Sequence, residues 1–190
     1  MCALSPIIVD KFYELCNEAY KTWIIHRTLF DDNSDRKKME SGDFGQVLEH
    51  VSVISLAYWL QQITKLHDPA LQNNNINLTI NYIIEYGGWD VSTLSVLKDS
   101  RDELNLFFKK LKPARDKFLS HNDLQAILND SPLGGFEKDT DRMYFEKLQE
   151  FMNFVSNKTI GELRPFNDLV KTEARTFLSY LQKDLKKDAG

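Results

Sequence analysis

Apolar residues recur at three- and four-residue steps along almost the whole chain, the spacing of helices that bury one face. Ile8, Phe12, Leu15, Ala19 and Trp23 predict a first helix over residues 8–29. The polar, glycine-bearing stretch 31–45 reads as a loop. A second helix over 46–66 carries Val47, Val51, Ile54 and Tyr58 as one stripe, widened by Ala57, Leu60 and Ile63. Because it is apolar over most of its girth, its expected place is the centre of a bundle. His67-Asp68-Pro69 closes it, since the residue before proline avoids helical backbone. Residues 72–77 form an asparagine-rich connector, and 78–86 suit either a short helix or a strand, stopped by Gly87-Gly88.

A further helix opens near Asp90 or Val91 and runs towards Lys112, with Leu97, Leu104, Phe107 and Leu111 inward. Pro113 either kinks it or starts a new helix over 113–128. After a loop at 129–139, a helix over 140–155 buries Tyr144, Leu148, Phe151 and Val155. A last helix over 165–186 uses Phe166, Val170, Phe177, Leu181 and Leu185. The expected fold is all-α: one domain over residues 1–190, a bundle of about six helices with antiparallel neighbours.

Composition narrows the function. The 190 residues are 42% hydrophobic and 12% aromatic, which supports a sizeable core and excludes a disordered chain. The net charge is −4 and the pI about 5.6, opposite in sign to a generic nucleic-acid coat. Any RNA contact must be local, or must come from a surface shared in an oligomer. Cys2 and Cys16 make neither a disulfide framework nor a metal knuckle, and Cys16 reads as a small buried residue. The most apolar run, residues 51–60, is broken by Ser52 and Ser55 and is too short for a bilayer. A cytoplasmic protein without membrane contact is expected. Di-iron Glu-x-x-His pairs, zinc clusters and phosphate-binding glycine loops are all missing from the sequence, so no metal or cofactor is expected. His26 continues the first apolar face as a core or rim histidine, and Arg36-Lys37-Lys38 and Lys186-Lys187 read as solvated surface.

One stretch offers chemistry: Lys112-Pro113-Ala114-Arg115-Asp116-Lys117-Phe118-Leu119-Ser120-His121-Asn122-Asp123. On a helix, Leu111, Ala114 and Phe118 share a face, and Arg115 and His121 fall about 60° to either side of Phe118. The two are about 9 Å apart along the axis, so one helix alone makes a poor pocket. Two copies about a twofold axis would bring two arginines and two histidines around a cleft. Guanidinium holds phosphate, imidazole moves protons near neutral pH, and Asp116 could orient either. Lys117 lies on the side of His121 and adds positive potential. These are the parts of metal-free RNA cleavage through the 2′-hydroxyl. From spacing alone, a satisfied polar tip at an apolar boundary is the commoner role for a histidine like His121, and Arg115 could simply form an ion pair.

Arg115-Asp116-Lys117-Phe118-Leu119-Ser120-His121-Asn122-Asp123 resembles the signature of the HEPN superfamily, an arginine followed by a polar residue with a histidine four to six residues on. The Arg-Asp-Lys opening and His-x-Asp close are similar to the abortive-infection branch of AbiU-like proteins. So is the apolar helix ending Gln62-Ile63-Thr64-Lys65-Leu66-His67-Asp68-Pro69. The resemblance implies a helical bundle dimerising through the motif helix, and a metal-independent endoribonuclease serving phage defence or a toxin–antitoxin system. Arg115 and His121 would be catalytic, with Asp116 the polar accessory. RNA, a second copy and an antitoxin protein would be its partners. Where the toxin branch has a tyrosine two residues after the histidine, this chain has Asp123, so modification at that position is not implied. Some HEPN proteins have lost activity and bind a nucleotide or a protein instead, which is the alternative.

Overall fold

The computed structural model describes residues 4–119 and 137–187, with side chains through 113 in the first stretch and through 183 in the second. Among the described residues the protein is all-α, with seven α-helices and one two-stranded hairpin. In chain order these are α1 (Pro6–His26), a π-helical turn (Arg27–Asp31), α2 (Arg36–Glu40), α3 (Gly45–Leu66), β1 (Leu71–Gln72), β2 (Asn75–Ile76), α4 (Ile80–Tyr86), α5 (Val91–Leu119), α6 (Thr140–Ile160) and α7 (Leu169–Lys187). Their contacts divide the chain into two compact units. One comprises Met1–Asn17 and Leu60–Pro165, the other Glu18–Trp59 and Phe166–Gly190.

The first unit is built on α5 and α6. Lys110 pairs with Glu137 at 3.1 Å and Lys147 with Glu103 at 3.2 Å, so the two helices run antiparallel. Leu97, Leu104 and Leu111 of α5 are buried, as are Tyr144, Leu148, Phe151 and Val155 of α6. The amino-terminal half of α1 adds Val9, Phe12 and Cys16, and Phe12 meets Phe151 edge to face at 6.2 Å. The predicted α1 face is therefore one residue out at Leu15, which is exposed while Cys16 is fully buried. The helix starts at Pro6 rather than Ile8. Proline at the first position loses nothing, and the Ser5 carbonyl accepts from Ile8 N–H at 3.0 Å.

Two ambiguous segments of this unit resolve through their asparagines and threonines. Residues 71–76, expected as a plain connector, form a hairpin pairing Leu71 with Ile76 and Gln72 with Asn75. Asn73 and Asn74 turn it with φ of 49° and 64°, the left-handed backbone that asparagine tolerates. The stretch that suited a helix or a strand is α4. Thr79 caps it, its hydroxyl accepting from Tyr82 N–H at 3.2 Å. Ile80, Ile83 and Ile84 are its buried face. After Gly87, Trp89 folds back to donate its indole N–H to the Ile83 carbonyl at 2.7 Å. A Cβ on Gly87 would sit 1.9 Å from that nitrogen, so glycine is required there. Thr79→Ala is expected to cost about 1 kcal/mol, the usual worth of an N-cap, read as a shift of the urea midpoint.

The second unit departs more from the sequence pattern. α1 gives way at His26 to the π turn, closed by Asp32 N–H to the Arg27 carbonyl at 2.8 Å. Arg27 Nε and Asp32 Oδ2, 3.1 Å apart, tie its two ends together. The stretch expected to be loop holds α2, where Arg36 and Glu40 pair at 2.6 Å across one turn and Met39 anchors the core. Arg36, read as solvated, is half-buried. Tyr20 donates to Asp168 at 2.5 Å and packs against Trp23 and Phe166. Two expectations fail. Phe177 of α7 is exposed rather than inward. So are Val47, Val51, Ile54 and Tyr58 of α3, while Gly45, Ser52 and Trp59 are buried. The large apolar stripe of α3 thus faces solvent, and mostly small residues face the unit.

Candidate functional site

α5 carries the motif, and its start is firmly set. Asp90 caps it: Oδ1 accepts from Thr93 N–H at 2.8 Å and from the Ser92 hydroxyl at 2.5 Å, and Oδ2 from the Thr93 hydroxyl at 2.8 Å. These bonds hold the Asp90 carboxyl well below the usual carboxylate range, the Ser92 hydroxyl contributing most. From there the buried positions Thr93, Leu97, Leu104 and Leu111 define the inward face. Phe118 is the next position at the same seven-residue step. Pro113 neither ends nor restarts the helix, whose backbone continues to Leu119. Arg115, Asp116 and Lys117 belong to that helix, but their side chains lie outside the described residues, as does the whole of His121.

Within hydrogen-bonding reach of α5 is a polar centre built on His67, whose segment reads from the sequence as a helix stop and as part of the AbiU-like resemblance. His67, just past the end of α3, sits among α5 and α6. Its Nδ1 is 2.9 Å from Asn105 Oδ1, its Nε2 is 3.0 Å from the Tyr144 hydroxyl, and its ring stacks on Phe108 at 4.2 Å. Asn105 Oδ1 can only accept, so Nδ1 carries the proton and Nε2 accepts from Tyr144. The geometry suits a neutral imidazole. Burial lowers the His67 pKa to about 4, against a smaller upward pull from the Asn105 bond. Burial likewise pushes the Tyr144 hydroxyl and the Cys16 thiol up, leaving both protonated and Cys16 inert. A lone histidine closing an apolar helix was the available signal. Its partners, 38 and 77 residues downstream, were not in it.

A second constellation appears in the other unit. His26 is buried with Nδ1 2.7 Å from Ser55 Oγ, and Nε2 is 3.6 Å from Asp31 Oδ1. Serine, histidine and aspartate invite comparison with a hydrolytic triad, but Ser55 directs its hydroxyl to the Ser52 carbonyl at 3.0 Å, the back-bonding of a mid-helix serine. His26 Nδ1–H then donates to Ser55, and the serine is not activated. The arrangement ties α1 to α3 within the unit. Elsewhere, Ile7, Ile8, Lys11, Ile76, Leu78 and Tyr82 line a groove of about 230 Å³. Its one cation, Lys11, is paired with Glu14 at 2.6 Å, which leaves little to hold a phosphate. Among the described residues no group of three or more His, Cys, Asp or Glu side chains is placed to hold a metal ion. Nor is any helix among them long and apolar enough to cross a membrane.

The described scaffold therefore presents one helix that leads, unbroken through Pro113, into the Arg115 motif. Comparison with known proteins agrees with that emphasis. A family model described as AbiU2, of the HEPN type, matches residues 5–177, from the residue before α1 into α7. No curated protein and no solved structure matches the chain. With all but the two ends of its sequence covered by that match and an all-α fold to go with it, the chain belongs to the AbiU2 family of HEPN proteins.

Proposed function

We propose that this protein is a metal-independent endoribonuclease of the phage-defence or toxin–antitoxin kind, acting in the cytoplasm as a single HEPN domain that pairs with a second copy through the motif helix. Arg115 and His121 of the two copies flank the scissile phosphodiester. His121 takes the proton of the 2′-hydroxyl or returns one to the leaving 5′-oxygen. Arg115 holds the non-bridging oxygens with paired hydrogen bonds as charge builds on phosphorus. Asp116 orients these groups, and Lys117 adds attraction for the RNA backbone. An antitoxin protein would hold the activity in check.

The observation that carries this reading is an arginine–histidine motif in the sequence whose arginine lies on a helix set by the Asp90 cap, in a chain that belongs to a HEPN family. The test is incubation with a mixed RNA pool, with and without EDTA, followed by mapping of product ends. Cleavage should survive EDTA and leave 2′,3′-cyclic phosphate and 5′-hydroxyl ends. A strict metal requirement, or ends bearing 3′-hydroxyl and 5′-phosphate, would refute the mechanism. The net charge of −4 favours a second reading, in which the motif is inactive and the module binds a nucleotide or a protein. RNA left intact under all these conditions would select it.

A further inference from the structure

The outward stripe of α3 has a regular form. Phe44, just before the helix, and Val47, Val51, Ile54 and Tyr58 within it follow steps of three, four, three and four residues. That is the a/d seam of a helix that packs lengthwise on another helix. All five are 42% to 67% exposed, whereas the buried positions Gly45, Ser52 and Trp59 lie about 130° round the helix. The amphipathicity is thus partly inverted: small residues fill two of the three inward positions, while the five large apolar seam positions face out beside exposed Gln46, Glu49 and His50. Over about 22 Å of helix the seam presents roughly 400 Å² of apolar surface, the size of the largest, often functional, patch on an ordinary monomer.

We propose that this seam is an interface with a second copy of the chain, formed by α3 against α3 about a twofold axis. The flanks argue for a like partner. In helix pairs, charges beside the seam select unlike partners and repel like ones. Within the helix the flanking positions are Leu48, His50, Ser55 and Ala57, none carrying a fixed charge, and the one fixed charge beside the seam is Asp43, ahead of the helix. Over the helix itself two identical seams can meet without like-charge repulsion despite the acidic balance of the chain. The apolar area is about half of what each partner gives to a standard interface, so the rim of each unit supplies the rest. Val51 is the third of five seam positions, so a twofold through the seam brings the two Val51 side chains together whether the helices run parallel or antiparallel. The contact is separate from pairing through the motif helix, and a chain with both, their twofold axes crossing at right angles, would assemble as a tetramer.

The test is the solution mass of the full chain by sedimentation equilibrium, for wild type and for Val51→Asp. The mass should fall by a factor of two in the variant, whatever the motif helix contributes, with helical circular dichroism preserved. An unchanged mass, or a wild type that is already monomeric, overturns the proposal. A variant that melts at lower temperature with unchanged mass also overturns it, and assigns the stripe to a cover from within the chain. If Val51→Asp does not fold, Val51→Cys in a Cys2→Ser background is the second arm. Mild oxidation should convert it to a disulfide-linked dimer, and its persistence as monomer refutes the interface.

Discussion

Replacing His121 by alanine is expected to lower RNA cleavage by about 10²- to 10⁴-fold, the usual contribution of a positioned general acid or base. The scaffold upstream of the motif is held by other residues, with α5 capped at Asp90 and packed on α6. The thermal midpoint of the variant should therefore stay with that of wild type. Arg115→Lys should lose activity as well, because a point charge replaces a two-pronged donor, and its loss should appear in kcat more than in RNA affinity. Full cleavage by a clean preparation of the His121 variant would end the catalytic assignment. The cleavage assay and the melt together separate loss of chemistry from loss of fold.

Acidification is expected to destabilise the protein through His67, by roughly 3 kcal/mol in total. Above pH 6.5 the imidazole is neutral in both folded and unfolded chains and makes no difference. The folded group titrates near 4, because burial disfavours its charged form by more than the Asn105 bond favours it. Between these values the unfolded chain holds the extra proton, so stability falls as pH falls through that window. Below about pH 4 both states are protonated and the loss is complete. A separation of about 2.5 pH units corresponds to the stated energy. Urea midpoints at pH 7, 5.5 and 4 give the slope for wild type. His67→Gln keeps a polar side chain among Asn105 and Tyr144 but cannot titrate, so its slope should be flatter by that amount. Parallel slopes would show that His67 is not the group responsible.

The parts of the fold that were legible in the sequence are those where one helix face meets one continuous core. On α6, Tyr144, Leu148, Phe151 and Val155 were expected inward and are buried, because two neighbouring positions per turn suffice to define a covered face. The α3 stripe misled for a physical reason. Periodicity reports that apolar residues share a face, not what covers it. Between Phe44 and Tyr58 the covered face holds Gly45 and Ser52, which no hydrophobic pattern reveals. The α1 face slipped at Leu15 because Cys16, a small buried thiol, was not counted among the apolar positions. The asparagine hairpin and α2 were missed for want of length: each is a few residues held by local bonds, below the window in which a period can be seen. Of the candidate site, the motif was readable because Arg115 to His121 are contiguous, and the helix that carries Arg115 is described as far as Leu119. The His67 centre was not, because its three partners come from two other helices.

The wide turn at Arg27–Asp31 amounts to one amino acid absorbed into the closing turn of the first helix. Three successive side chains, His26, Arg27 and Thr28, are buried there, which one face of a straight rod cannot achieve. Within that last turn, Phe30 and Asp31 are rotated by up to about 100° from where uninterrupted winding would put them. A relative lacking this bulge should align with a single-residue gap near Thr28, and a comparison that ignores the gap would match Phe30 and Asp31 to the wrong sides of their counterparts.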